Sequence, residues 1–210
     1  MSAMVSVAAL VLGLLVGTAL GANNERASTS SGLCDVNAAT LKHELGSICE
    51  PPTTLLNVRY GSDDFFLCDE TSSKLETSSQ PTEVIFDQAE AVGFPLQVSC
   101  FKSERRTLMV DPDAPNHSLE SLTFYLHWAI TDITGENLKR GLVQGTTLIG
   151  YHGPNTPFGI HRYQLVVFES TTGVHLTDQH RGHFSLLNFV NVNSASLCSV
   201  VAVFQFRVPP

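Results

Sequence analysis

The second half of the chain restricts the fold most. "EVIF" (83–86), "LQVSCF" (96–101), "RTLMV" (106–110), "LTFYLHWAITDI" (122–133), "RYQLVVFES" (162–170) and "SVVAVFQFRV" (199–208) are short runs rich in β-branched and aromatic residues. Pro, Gly, Asn and Asp turns separate them. Helical periodicity is weak throughout this half, and strands do not alternate with helices. Many short strands without crossover helices predict a mainly β chain, an antiparallel sandwich or barrel.

The first half is more varied. Met4 to Leu20 is apolar and carries no charged side chain, and Ala19-Leu20-Gly21 offers small residues for cleavage. Residues 1–21 therefore read as a signal peptide, and the chain as secreted. Residues 22–33, opening "ANNERASTSSG", read as a disordered polar leader. Residues 34–210 are long enough for one well-buried domain. Within it, "DVNAATLKHEL" (35–45) has Asp35 at a candidate N-cap and Leu41 and Leu45 four apart, which predicts a short helix. "TSSKLETSSQPTE" (71–83) reads as a polar loop. No further stretch approaches the ~18 apolar residues of a spanning helix, so no membrane span is expected in the mature chain.

Composition excludes some partners. A net charge of −8 argues against nucleic acid, whose phosphates need clustered Lys and Arg. Five cysteines, Cys34, Cys49, Cys68, Cys100 and Cys198, lie beyond the signal. An oxidising compartment predicts that most pair, with one left over. Asn116-His117-Ser118 is an N-glycosylation sequon.

Three stretches carry polar chemistry in an otherwise apolar setting. "MVDPDAPN" (109–116) ends a strand on Asp111 and Asp113, one proline apart. His127-Trp128 lies inside an apolar strand. "GYHGPNTPFGIHRY" (150–163) is a Gly/Pro loop delivering His152, His161, Arg162 and Tyr163. Each has a structural reading: an Asp capping a turn, a core histidine, a strand start at the surface.

Asp111, His127 and His161 form the inventory of a metal triad, but their spacings of 16 and 34 residues contain no short ligand pair. A hydrolase would need a nucleophile, and no G-x-S-x-G elbow is present. The remaining reading is an anion pocket, in which imidazoles, a tyrosine hydroxyl and loop N–H groups donate to phosphate or sulfate. A buried Asp would hold one histidine in its donor tautomer, or accept from a ligand ammonium or hydroxyl.

"DPDAP", a His 16 residues after its first Asp, "GP…GIHRY" and "RGHFSLLNFV" (181–190) together resemble the phosphatidylethanolamine-binding protein family, which includes the Raf kinase inhibitor proteins and the plant flowering regulators. The resemblance runs from about Glu83 to Arg207. It implies a large central antiparallel sheet against smaller flanking sheets, a few short helices and an anion pocket at one end. It places Asp111, His127, Gly153, Pro154, His161 and Tyr163 in that pocket, Asp113 as ordering the loop, and Pro115 and Tyr125 at the mouth. It further implies a non-enzymatic binding protein, without a cofactor, for phosphorylethanolamine-like headgroups or other phosphorylated ligands. Family precedent also admits inhibition of a secreted serine protease.

Two departures stand out. The chain stops just after the last strand, so the C-terminal helix that lines the pocket in mammalian members is not expected. His152 replaces a small residue, and Asn155-Thr156-Pro157 replaces a tighter proline pair, which predicts a reshaped pocket.

Overall fold

The computed structural model describes residues 38–46, 48–49, 56–62, 64–87, 104–114, 122–171, 173–176 and 180–210. The stretches read above as a signal peptide and leader, together with Cys34, Cys100, Pro115, the Asn116 sequon and the run 96–101, lie outside the described residues. In chain order the elements are α1 (Ala38–Gly46), β1 (Asn57–Arg59), β2 (Glu70–Thr71), β3 (Glu83–Ile85), β4 (Glu104–Asp111), β5 (Thr123–Thr134), α2 (Gly135–Lys139), β6 (Thr146–Ile149), β7 (His161–Ser170), β8 (Phe184–Ser185), α3 (Leu186–Val192) and β9 (Leu197–Val208).

The large sheet has seven strands in the order β2-β9-β7-β4-β5-β6, with β8 attached to β5. Its pairings are antiparallel except that β2 runs parallel to β9 at one edge. β1 and β3 form a separate two-stranded sheet. The mainly β sandwich with a large central sheet and a smaller one is therefore the observed architecture, with one parallel edge pair added.

The central strands read as nearly continuous apolar runs because both faces of this sheet are covered. Along β7, Tyr163, Leu165 and Val167 enter one core, while Val166 and Phe168 enter the other. The first core is closed by Val58 and Tyr60 from the β1 segment, Val84 and Phe86 from the β3 segment, and Leu138 of α2. The second is closed by Leu41 and Leu45 of α1 and by Leu186, Phe189 and Val190 of α3. Each such large side chain contributes about 1.5–3 kcal/mol by leaving water.

Leu41 and Leu45 make the stripe expected of the first helix. Sequence periodicity misses α2 and α3, which are 5 and 7 residues long. Both are set by their caps: Thr134 and Ser185 accept from the backbone N–H groups of Asn137 and Asn188.

Cys49 and Cys68 form a disulfide that ties the segment after α1 to the segment before β2. Cys198 is buried in β9 and takes no part in that bond. No helix among the described residues is long and apolar enough to cross a membrane.

Candidate functional site

Polar side chains meet where β4 ends and β7 begins. Asp111 is the last residue of β4 and is 2% exposed. Its Oδ1 accepts from the backbone N–H of Asp113 at 2.8 Å, an Asx turn that Pro112 favours by removing a ladder donor. Its Oδ2 lies 2.7 Å from Nδ1 of His161, the first residue of β7. Burial pushes the Asp111 carboxyl up, and the bonds from His161 and Asp113 only partly offset it.

Asp113 faces the other way. It accepts from the Arg162 backbone N–H at 2.8 Å, from Nε at 2.9 Å and from an Nη at 2.6 Å. That fork holds the guanidinium pKa above its ordinary value. The two acids of "DPDAP" thus have different partners: a histidine for the first, an arginine for the second.

His127 owes its position to a β-bulge. Met109 of β4 pairs with Trp128 and Val110 pairs with Leu126, so His127 has no counterpart on β4. Its backbone carbonyl accepts instead from His152 N at 2.9 Å and from a guanidinium N–H of Arg181 at 2.8 Å. Arg181 also donates to the carbonyls of Leu126 and Gly150. It thereby clamps the bulge to the start of the 150–160 loop.

The His127 side chain donates from Nδ1 to the His152 carbonyl at 2.6 Å. Its ring lies 4.7 Å from Tyr125 and 4.9 Å, edge-on, from Tyr163. His152 stacks on it at 5.9 Å and 11°, and His152 Nδ1 is 3.2 Å from the Tyr125 hydroxyl. Burial above all pushes the His127 pKa down to about 4, with the bond to the His152 carbonyl acting in the opposite sense and the nearby His152, Arg181 and His161 adding to the depression. Here the structure departs from the sequence reading of both imidazoles as donors. His127 has spent its one neutral-form hydrogen on a carbonyl.

The loop after β6 is held by close backbone approach. A Cβ on Gly153 would stand 3.0 Å from the carbonyl oxygens of Thr77 and Ser78, so only glycine lets the two segments touch. Tyr151 donates its hydroxyl hydrogen to Thr77 O at 2.8 Å, and Lys74 donates to Thr156 O at 2.7 Å. Pro154 is buried beside them. Tyr163 is kept a neutral phenol, first by burial and then by the Asp111 charge, while the Asn155 N–H acts in the opposite sense.

Asp111, His127, His161 and Tyr163 therefore gather at one end of the large sheet, with His152 stacked on His127, the Asn155 backbone bonded to Tyr163, and Tyr125 at half-buried depth. Gly153 and Pro154 lie in the loop between those two contacts. Pro115 and Asn116 fall outside the described residues. Among the described residues no three His, Cys, Asp or Glu side chains converge as a metal site. Sequence reasoning gave Arg181 no role, although its Arg-x-x-Phe stretch was visible. Nor did it place the Thr77–Ser78 backbone against Gly153.

A model of the phosphatidylethanolamine-binding protein family matches residues 69–205, which contain every described residue of this cluster. The chain belongs to that family. Among its relatives, the protein MOTHER of FT and TFL1 homolog 2 of Oryza sativa subsp. japonica is 31% identical over 107 residues, 49% of this chain and 60% of that protein. Protein CENTRORADIALIS-like of Arabidopsis thaliana is 35% identical over 99 residues, 46% of this chain and 54% of that protein. The chain thus spans somewhat over half the length of these curated relatives. Two solved structures share the fold at low identity. A carboxypeptidase Y inhibitor, solved in complex with its cognate proteinase, superposes with a TM-score of 0.56 at 18% identity, covering 86% of this chain and 98% of its own. A phosphatidylethanolamine-binding protein of Plasmodium vivax gives 0.56 at 19%, covering 83% and 97%.

Proposed function

We propose that the chain is a secreted, non-enzymatic binding protein whose pocket at the β4–β7 end of the sheet takes a phosphate-bearing ligand, a phospholipid headgroup such as phosphorylethanolamine or a related phosphorylated molecule. The observation that carries this is the Asp111–His161 pair at 2.7 Å, with His127 and Tyr163 beside it. A carboxylate at that distance fixes the imidazole's orientation by accepting from Nδ1, which leaves Nε2 for a ligand. Export is supported by the Cys49–Cys68 disulfide.

Calorimetric titration with phosphorylethanolamine tests the reading. A measurable affinity that drops at least ~tenfold in His161→Ala, the loss of about 1.4 kcal/mol of interaction, is expected. No heat from the wild-type protein would end it.

A second reading, inhibition of an extracellular protease, draws on the shared fold of the carboxypeptidase Y inhibitor and on exposed Phe158 and Ile160 in the loop before β7. Assays against a panel of secreted proteases check it, and the absence of inhibition at micromolar protein removes it.

A further inference from the structure

His127 carries an atom that the proposed function leaves unused. Its Nδ1 lies 2.6 Å from the His152 carbonyl oxygen. A carbonyl can only accept, so Nδ1 holds the hydrogen and, in the neutral ring, Nε2 holds a lone pair. The side chain is 3% exposed, and Nε2 has no hydrogen-bond partner among the described residues. The ring that carries it lies against Tyr125 and Tyr163, 4.7 and 4.9 Å away between ring centres.

The charged and titratable groups around it are Tyr125 on its own strand, His152 on the loop, Arg181 ahead of β8, and His161 and Tyr163 on β7, with Asp111 next to the last two. The histidines and the arginine oppose a second proton on the ring, and burial opposes it more. A bare phosphate oxygen at Nε2 would set one lone pair against another.

We infer that His127 acts as the acceptor of this pocket and takes a hydrogen bond from a P–OH, so that the site selects a phosphomonoester end group over a phosphodiester. The inference rests on the phosphate-pocket reading above and narrows it. A monoester carries a titratable proton with a pKa of about 6 and brings it to Nε2. A diester has none, and must either forgo the contact or bind with the proton on a ring whose pKa is about 4. Two pH units separate the two sources of that proton, so the monoester gains up to ~100-fold where its proton is present.

The test compares phosphorylethanolamine with glycerophosphoethanolamine, which share the ammonium and differ in the P–OH. Titrations run from pH 6 to pH 8. At pH 6 the monoester should bind at least ~tenfold more tightly. Above pH 6.5 its advantage should shrink by up to about tenfold per unit where the diester forgoes the contact, and hold level where the diester draws its proton from the ring.

In His127→Phe, which keeps a ring in that place, the ratio should fall to about one. Should this variant fail to fold, ³¹P resonance of phosphorylethanolamine bound to the wild-type protein gives the answer. The bound phosphate should titrate at higher pH than the free one. A ratio near one throughout, or a bound phosphate that titrates at or below its free value, overturns the inference and leaves the phosphate pocket standing. If neither ligand binds, the pocket reading and the inference fall together.

Discussion

Acid should destabilise the ligand-free protein through one side chain. His127 has an ordinary pKa of 6.5 when unfolded and about 4 when folded. Between those values the unfolded chain binds more protons than the native one, so stability rises with pH across the window. The contribution is complete above pH 6.5 and lost as pH falls toward 4. At 1.36 kcal/mol per pH unit, the gap between 6.5 and about 4 amounts to roughly 3 kcal/mol, a large part of the ~5–15 kcal/mol that holds a domain folded.

Asp111 acts in the opposite sense. Its raised carboxyl pKa is unfavourable at neutral pH and is relieved on acidification, so the total curve understates the histidine. The difference between wild type and His127→Gln isolates it, since the amide can still donate to the His152 carbonyl. Urea unfolding at pH 7, 6, 5 and 4 should show the wild type losing about 3 kcal/mol more than the variant, with unchanged m-values. Parallel curves would mean that His127 is not held neutral, and would remove the basis for its acceptor role.

Two further outcomes follow from backbone geometry. The Cys49–Cys68 bond closes a separation of 19 residues, so reduction should lower unfolding free energy by about 3 kcal/mol in the chain-entropy account; a change under ~1 kcal/mol in urea melts of oxidised and reduced protein would contradict it. Gly150 and Gly153 share a loop but not a fate: a Cβ on Gly150 meets nothing, whereas one on Gly153 presses on the Thr77 and Ser78 carbonyls. Gly153→Ala should therefore weaken phosphorylethanolamine binding at least ~fivefold by calorimetry while Gly150→Ala leaves it unchanged, and equal effects would show that the 73–78 turn does not shape the pocket.

Much of this architecture was legible in the sequence because a strand buried on both faces leaves a strong local trace. "LMV" (108–110) and "LVVF" (165–168) are apolar without alternation, and the structure places them at the centre of the sheet with a core on either side. The polar residues interrupting such runs were equally conspicuous. What could not be read was anything set by a partner strand. The bulge at His127 exists because β4 pairs around it, and no feature of "LHWA" records that register. The same holds for Arg181, whose three backbone acceptors lie 31 to 55 residues away in sequence. α2 and α3 left no periodic signal because 5 and 7 residues make at most two turns.

The tautomer of His127 is the most consequential of these non-local facts. Sequence supplies an imidazole, and an imidazole beside a phosphate invites the role of donor. The bulge turns the His127 carbonyl toward His152 N and Arg181, and the returning His152 carbonyl then takes the ring's hydrogen. One register shift thus converts the same residue from donor to acceptor. Asp111 has no such carbonyl to satisfy and keeps His161 for itself, while Asp113 is saturated by three donors from Arg162. The two histidines are therefore chemically unlike: His161 is held by a carboxylate, whereas His127 is held by a carbonyl in a buried setting that opposes its charge. Under the acceptor role inferred above, that polarity is what would distinguish ligands that differ by a single proton, which a pair of equivalent imidazoles could not do.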